Sequence, residues 1–262
     1  MRDFIELISW PTFWQAAARL VSGAASIFLT LILTRSSLGV EGFGDFTKIL
    51  ALVSIFYLPA DFGLNAAFIQ LASKTGQVKS LFFNLFFIRL FWATFLFLIS
   101  LFTNLVLYQI NLAAILPASA TILTTAVTAS ALAYFQLRLT YFWQFLASLA
   151  SSIVALFLIL LSLGQTLTLQ VVFGAILAGQ FVGVVINFSK IWQEFKFLGE
   201  KIDWELVRRY FQQSFALGLT LIFNLIYFKA DIILLSLLST SQSVGLYGLA
   251  VRIFEWAILP PV

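Results

Sequence analysis

Among the charged residues within long apolar stretches of the sequence, four are candidates for chemistry: Arg19, Asp61, Arg89 and Asp231. A charge near the centre of a bilayer costs at least about 2.5 kcal/mol, so each of these side chains needs a partner or a polar cavity. Arginine offers a planar fork of donors that fits phosphate oxygens. A buried carboxylate can hold a proton or a sodium ion. The four charges therefore favour a binding or transport site over a purely structural scaffold.

The basic candidates suit an anionic ligand. Arg19 shares a helical face with Gln15, Ser22 and Ser26, at successive spacings of four, three and four residues. Such a polar face points to a water-filled cavity or a protein interior, not to lipid. Arg89 is the second basic candidate, in the cytoplasmic half of its own apolar stretch. Arg19 and Arg89 are therefore the candidates for binding an anionic ligand within the membrane.

A partner for Arg19 is suggested by its position along the chain. Asp61 lies as far after Val40 as Arg19 lies before it, so an antiparallel hairpin centred on Val40 would place the two at one depth. One interpretation is a structural ion pair between Arg19 and Asp61. The other is that Asp61 orients Arg19 toward a ligand.

A second polar face includes an acidic residue. Asn224, Tyr227 and Asp231 follow one another at spacings of three and four residues. This face can bind a proton or a sodium ion that drives transport. Alternatively, Asp231 forms an ion pair with Lys229 or Arg252.

Residues 35–46 combine charges and glycines between two apolar runs. Glycine allows a tight chain reversal and a close approach of two helices. Arg35 and Asp45 are predicted to close the hairpin as a surface ion pair, which would contribute only about 0–1 kcal/mol. A structural role is favoured over a gating role for this turn. The glycines are Gly39, Gly42 and Gly44.

The composition is that of an integral membrane protein. Hydrophobic residues make up 61% of the chain and charged residues only 10%, whereas soluble domains are about one quarter charged. Cysteine and histidine are both absent, which excludes disulfides, thiol or imidazole catalysis and the usual zinc ligands. We expect no metal site, no cofactor and no nucleic-acid partner. The interacting molecules should include membrane lipids.

Continuous apolar runs predict an all-α polytopic membrane protein. Each run is about 20 residues or longer, as a helix needs to cross a bilayer, whereas strands of a barrel would alternate over about ten residues. Seven complete spans and the start of an eighth are predicted. They cover residues 12–33, 46–72, 81–107, 112–137, 142–163, 169–188, 211–238 and 244 onward.

The loops predict the orientation. With a cytoplasmic N-terminus, nine basic residues fall on the inner side and two, Arg35 and Lys48, on the outer side. Because loops rich in Lys and Arg stay inside, this asymmetry predicts a multi-pass protein of the cytoplasmic membrane with its N-terminus inside. The inner set is Arg2, Lys74, Lys79, Arg138, Lys190, Lys196, Lys201, Arg208 and Arg209.

A weak internal repeat suggests two lobes. An offset of 201 residues aligns residues 43–46 with residues 244–247, each just after an outer turn. We therefore predict a six-helix lobe over 1–189, a cytoplasmic amphipathic helix as linker over 190–210, and the start of a parallel-repeat second lobe over 211–262. Because the second lobe should match the first, we expect the sequence to be part of a protein of about four hundred residues or more.

Three short motifs carry a family resemblance. They resemble the polysaccharide-biosynthesis (oligosaccharide) flippases of the multidrug, oligosaccharidyl-lipid and polysaccharide exporter superfamily. The motifs are Leu38-Gly39-x-Glu41-Gly42-Phe43-Gly44 after the first span, Asp61-Phe62-Gly63-Leu64 in the second, and Asp231 followed by Val244-Gly245-Leu246-Tyr247.

The resemblance implies an alternating-access transporter with two six-helix lobes. It also implies transport of an undecaprenyl-diphosphate-linked saccharide from the inner to the outer leaflet, for the biosynthesis of lipopolysaccharide or another cell-envelope polysaccharide. For such a substrate, Arg19 and Arg89 are expected to bind the diphosphate, and Gln15, Ser22 and Ser26 to contact the attached sugar. The expected partners are the lipid-linked oligosaccharide, a polysaccharide polymerase and glycosyltransferases. Coupling to protons or sodium ions is compatible with the acidic residues.

Two other function classes stay open. A cation-coupled multidrug exporter of the same superfamily would need acidic residues in its cavity, and the complete spans offer Asp61 and Asp231. A membrane-embedded glycan polymerase or glycosyltransferase would present catalytic groups in a sizeable loop. The short outer loops argue against that enzyme, so we expect a transporter.

Overall fold

The computed structural model describes residues 2–108, 110–164, 166–195 and 200–257, with side chains for 10–252 within these ranges. This part of the chain is helical and contains no strand. Short loops join the helices, so successive spans run in opposite directions. The helices are α1 (Arg2–Arg35), α2 (Gly39–Ser54), α3 (Tyr57–Asp61), α4 (Leu64–Thr75), α5 (Val78–Tyr108), α6 (Leu112–Arg138), α7 (Phe142–Leu161), α8 (Leu169–Phe195), α9 (Trp204–Leu238) and α10 (Ser241–Ala257).

The predicted spans are confirmed as helices. Within the described ranges, seven segments are long and apolar enough to cross a membrane, and they coincide with the seven predicted spans. The predicted eighth span corresponds to α10, which begins at Ser241. Its continuation beyond residue 257 lies outside the described part. The chain is therefore an all-α polytopic membrane protein, as its composition predicts.

We expected the second span to be a single helix, but it consists of three helices, α2, α3 and α4. Proline at position 59 has no N–H to donate to the carbonyl of Ile55, so α2 cannot continue through this point. The short α3 follows, and then Phe62 and Gly63 adopt left-handed φ values of 44° and 72° before α4 begins. The indole Nε1 of Trp92 on α5 donates to the Pro59 carbonyl at 2.9 Å, which fixes the broken segment.

Contacts between loops define two ends of the bundle. One end contains the turn at residues 36–38, and we call it the 36–38 end. There the Leu167 amide donates to the Ser37 hydroxyl at 3.1 Å. At the opposite 76–77 end, Lys79 and Glu200 form an ion pair at 3.4 Å. Each end has its own buried apolar cluster, one including Phe43 and Phe173 and the other including Phe68, Phe82 and Tyr134. The middle of the bundle, between these clusters, contains the cavities described below.

The predicted amphipathic linker helix over 190–210 is wrong. Residues up to Phe195 continue α8, and Ile191 is buried there instead of lying on a membrane surface. Residues 200–203 are not helical, and Asp203 caps α9 by accepting from the Glu205 and Leu206 amides. Residues 196–199 lie outside the described residues. The division into 1–189, 190–210 and 211–262 stays a prediction.

The predicted ion pair between Arg35 and Asp45 is also wrong. The chain reverses at residues 36–38, and Gly39, with a φ of 61°, already begins α2. Asp45 therefore lies well inside α2, where it accepts from the Ser241 hydroxyl at 2.5 Å. Arg35 is exposed at the end of α1. Our expectation of a turn centred on Val40 placed Asp45 too close to the turn, which Arg35 directly precedes.

Helix α10 packs tightly across α2. A Cβ atom at Gly44 would overlap the backbone carbonyl of Ser241, and one at Gly245 would overlap the carbonyl of Val40. Gly44 and Gly245 occupy equivalent positions in the 201-residue offset, and they contact each other at this crossing. Lys48 adds a hydrogen bond of 2.9 Å to the Ser241 hydroxyl. Small residues thus allow two backbones to meet at the 36–38 end.

Helix α9 packs along the other side of the broken second span. Near the 76–77 end, the buried Tyr210 donates to the Leu81 carbonyl at 2.9 Å. Midway, Gly218 lies against the ring of Phe62, so that a Cβ there would clash with it. The two helices α9 and α10 therefore enclose space against α1, α2 and α3.

Candidate functional site

Three neighbouring cavities form one cleft through the middle of the bundle. Their volumes are about 290, 300 and 270 Å³. The first two share Ser22 and Gln180 in their walls, and the second and third share Ser26 and Arg252. We call them the uncharged cavity, the bridging cavity and the cationic cavity, in that order.

The cationic cavity lies between α1, α2, α9 and α10. Two basic residues line it: Lys229 from α9 and Arg252 from α10. The two cations can neutralise and hydrogen-bond an anion, and hydroxyl groups accompany them. They belong to Ser26, Thr47, Ser54 and Tyr57.

Arg252 connects α10 to α1. Its Nη1 donates to the Ser26 hydroxyl at 2.7 Å and to the Thr30 hydroxyl at 2.9 Å. Its guanidinium carbon also lies 5.8 Å from the ring centre of Phe43 and 5.7 Å from that of Phe46. Cation–π contacts of this kind hold the guanidinium plane in place. Arg252 is thus positioned where α1 and α10 border the cleft.

The uncharged cavity lies between α1, α6, α7 and α8. None of the side chains that line it carries a charge, and most bear a hydroxyl or a carboxamide group. Groups of this type donate and accept hydrogen bonds without a preference for either sign of charge. The polar members are Ser22, Thr125, Thr128, Gln144, Ser148, Ser151, Ser152, Gln180 and Asn187.

Arg89 lies in a buried network and not in the cleft. Its side chain is 0% exposed, and Nη2 contacts Asp61 at 2.6 Å and Asn65 at 2.8 Å. Nη1 donates to the Ser130 hydroxyl at 3.1 Å. The network ties the broken second span to α5 and α6. Its location gives Arg89 a structural role and places it away from any ligand in the cleft.

The predicted pairing of Arg19 with Asp61 is wrong, because the carboxylate of Asp61 belongs to Arg89. The break at Pro59 turns α3 toward α5, whereas the prediction assumed two straight helices about Val40. Arg19 itself is exposed on α1 and lines none of the three cavities.

The other members of the predicted polar face divide between two locations. Ser22 and Ser26 line the cleft. Gln15 lies outside the walls of the three cavities, closer to the start of α1. Helical spacing correctly grouped these residues on one face but did not indicate where along the helix the cleft begins.

The predicted acidic face of α9 lies away from the cleft. Asn224 and Asp231 are exposed, and Tyr227 is 80% exposed. The Tyr247 hydroxyl of α10 donates to Asp231. Among the side chains that the structure describes, no group of three acidic, His or Cys residues can hold a metal ion. Binding of a proton or a sodium ion at Asp231 stays a prediction.

Sequence reasoning considered Lys229 and Arg252 only as partners for Asp231. A signal for their shared role was present in the spacing: Lys229 and Ile232 are three residues apart, and Gly248 and Arg252 are four apart. Each pair lies on one helical face, and all four line the cationic cavity. The missing information was that these two faces oppose each other.

A family model described as "Polysaccharide biosynthesis protein" matches residues 12–257. The chain belongs to the polysaccharide biosynthesis protein family. This confirms the resemblance to flippases of the multidrug, oligosaccharidyl-lipid and polysaccharide exporter superfamily. No curated protein and no solved structure matches the chain.

The family match extends over all the helices that line the cleft. The match covers the four helices that surround the uncharged cavity, and also α9 and α10, which complete the cationic one. Together with the seven spans, it favours a transporter over an enzyme. In this polysaccharide biosynthesis protein, the cleft is thus the candidate path for a polar substrate through the bilayer.

Proposed function

We propose that the protein is a flippase that moves a saccharide linked to undecaprenyl diphosphate from the inner to the outer leaflet of the cytoplasmic membrane. The observation that carries this proposal is one cleft with two different ends. Lys229 and Arg252 provide positive charge at one end, and uncharged hydroxyl and carboxamide groups line the other. A diphosphate-linked sugar has the same two parts.

The cationic cavity suits the diphosphate. Hydrogen bonds between charged partners contribute about 1.5–3 kcal/mol each. Arginine adds a planar pair of donors to the point charge of lysine. The Ser26 hydroxyl, which accepts from Arg252, can supply a further donor in the same space. This set replaces Arg19 and Arg89 as the proposed diphosphate site.

The position of Arg252 also suits a lipid substrate. Its bonds to Ser26 and Thr30 lie where α1 meets α10, two helices that otherwise touch little. A diphosphate bound there can keep its polyprenyl chain in the bilayer while the sugar enters the cleft. The apolar chain then never has to cross a polar cavity.

The multidrug-exporter alternative is less well supported. A cavity for organic cations needs carboxylates, and the described lining of the three cavities contains none. Asp61 pairs with Arg89, and Asp231 lies on the outer face of α9. Asp231 remains our proposed site for a coupling proton or sodium ion.

Substitution of the two basic residues tests the function. In liposomes containing the intact protein, Lys229→Ala or Arg252→Ala should weaken the apparent affinity for a polyprenyl-diphosphate saccharide about ten- to a hundredfold. Lys229→Arg should retain most of the affinity, because it keeps the charge. Arg19→Ala is the matched control and should have little effect, since Arg19 lies outside the cleft.

Two outcomes would contradict this assignment. If the Lys229→Ala, Arg252→Ala double variant transports the saccharide lipid at the normal rate, the cationic cavity does not bind the diphosphate. If the intact protein expels a cationic dye and leaves the saccharide lipid in place, it functions as a drug exporter.

The proposed orientation predicts which ends of the bundle face the cytoplasm. The chain has no cysteine, so single cysteines can be introduced without further changes. Gln77→Cys at the 76–77 end should react with a membrane-impermeant thiol reagent only from the cytoplasmic side. Gly164→Cys should react only from the outside, and an added Cβ meets no neighbour there. The reverse labelling pattern would invert the proposed direction of transport.

A further inference from the structure

The uncharged cavity has the features of a defined binding site. Four helices contribute to its walls, and at about 290 Å³ it is close to the smaller ligand cavities of proteins, at about 300 Å³. It shares Ser22, Ser151, Ser152 and Gln180 with the bridging cavity, which ends at Arg252. A ligand in the uncharged cavity can therefore be continuous with one at the cationic cavity.

Asn187 on α8 is the residue that most clearly points to a ligand. Its side chain is 0% exposed, and its Oδ1 accepts no hydrogen bond from the described residues. Its Nδ2 makes only a long contact of 3.5 Å with the Gln144 oxygen. A buried amide oxygen without a partner costs about 1–3 kcal/mol. A donor from a bound molecule would remove this cost.

The walls around Asn187 are held firmly. Gly183, one turn earlier on α8, lies so close to α7 that a Cβ would sit 3.2 Å from the Ala147 carbonyl oxygen. Gly179 meets α7 even more closely, at the carbonyl of Ser151. Backbone contacts of this kind fix α7 against α8, so the amide of Asn187 has a defined position. A preorganised polar group discriminates between ligands better than a mobile one.

The chemistry of the walls selects a ligand class. Hydroxyl and carboxamide groups match the hydroxyl and acetamido groups of sugars. A sugar carboxylate would lose its hydration here without meeting a positive side chain among the lining residues, which is strongly unfavourable. We propose that the uncharged cavity is the saccharide subsite, that Asn187 is a specificity-determining residue in it, and that it selects uncharged sugars over uronic acids. This inference rests on the proposed flippase function.

Binding to the intact protein in lipid nanodiscs tests this proposal with three probes. They are polyprenyl diphosphate alone, the same lipid carrying an N-acetylhexosamine, and the same lipid carrying a hexuronic acid. The normal protein should bind the N-acetylhexosamine lipid at least about tenfold more tightly than the hexuronic acid lipid. Asn187→Leu should weaken binding of the N-acetylhexosamine lipid about tenfold and leave that of the sugar-free lipid unchanged.

Two further variants support the interpretation. Thr128→Val removes one hydroxyl from the cavity wall with almost no change of shape, so it tests the subsite even if Asn187→Leu fails to fold. Thr128→Val should weaken the binding of the N-acetylhexosamine lipid by a few fold and leave the binding of the sugar-free lipid unchanged. Ser189→Ala, at an exposed position of the same helix, is the matched control and should change nothing.

The outcomes separate the two proposals. If the sugar-free lipid binds and depends on Arg252, but neither Asn187→Leu nor Thr128→Val distinguishes the sugar lipids from it, the subsite is wrong and the flippase function stands. Equal affinity of the two sugar lipids for the normal protein would refute the selection of uncharged sugars. If no polyprenyl diphosphate binds, the proposed function itself fails.

Discussion

Asp61→Ala should lower the free energy of unfolding by about 3–5 kcal/mol, because it strands Arg89. Arg89 is 0% exposed, and Asp61 is the acidic partner of its guanidinium, at 2.6 Å. Asn65 and Ser130 can accept hydrogen bonds from Arg89, but they cannot neutralise its charge. The measurement is reversible unfolding of the protein in mixed micelles with increasing denaturing detergent.

The double variant Asp61→Ala, Arg89→Met should recover much of this loss, since it leaves no buried charge behind. Arg89→Met alone should be less damaging than Asp61→Ala, because the Asp61 side chain is 23% exposed and can be hydrated or protonated. Asp231→Ala is a control at another membrane carboxylate, which is exposed and where the hydrogen bonds from the Tyr247 hydroxyl and the Ile232 amide are lost, at about 1 kcal/mol each. Equal destabilisation by the single and double variants would mean that the Arg89–Asp61 pair has no special stabilising role.

The sequence predicted the spans well because hydropathy and length depend only on local composition. It also contained the signal for the broken second span, in Pro59 and Gly63. The prediction nevertheless treated residues 46–72 as one helix, and this led to a wrong partner for Asp61. Counting residues about a single turn placed Asp61 beside Arg19, whereas the break at Pro59 directs it to Arg89.

The site was harder to predict because it depends on contacts between distant segments. A helical face can be derived from spacing, but the neighbour that it meets cannot. Ser26 and Arg252 are separated by 226 positions and are joined by a hydrogen bond of 2.7 Å. None of the four intramembrane charges singled out from the sequence lines the three cavities; Lys229 and Arg252 do. That these two residues border a cavity follows only from the packing of α9 and α10.

The glycines of residues 35–46 also show that a local turn can be predicted from the sequence, whereas a contact with a distant helix cannot. Those of residues 35–46 were expected to allow a tight turn and a close helix approach. Gly39 serves the turn, with its φ of 61°. Gly44 allows the close approach of α2 and α10, where it contacts Gly245. The repeat offset aligned the two positions with each other, but only the fold shows that they meet.

Gly44→Val should separate α2 from α10 and open the cleft toward the 36–38 end. The new Cβ would overlap the Ser241 backbone carbonyl, and a backbone atom cannot rotate away as a side chain can. The helices must therefore move apart, which costs about 1–3 kcal/mol or more. The hydrogen bonds of Ser241 to Asp45 and Lys48 should be lost with the movement.

The opening can be measured at Thr47, which is 6% exposed and lines the cationic cavity next to Gly248. A Thr47→Cys variant should react slowly with an impermeant thiol reagent applied to the 36–38 side. Adding Gly44→Val should accelerate the reaction at least about tenfold. This corresponds to a free energy of opening that is about 1.4 kcal/mol lower. Gly174→Val on α8 is the control, because a Cβ at Gly174 meets no neighbour. If Thr47→Cys reacts no faster in the Gly44→Val background than in the Gly174→Val background, the crossing of α2 and α10 is not what closes this end of the cleft.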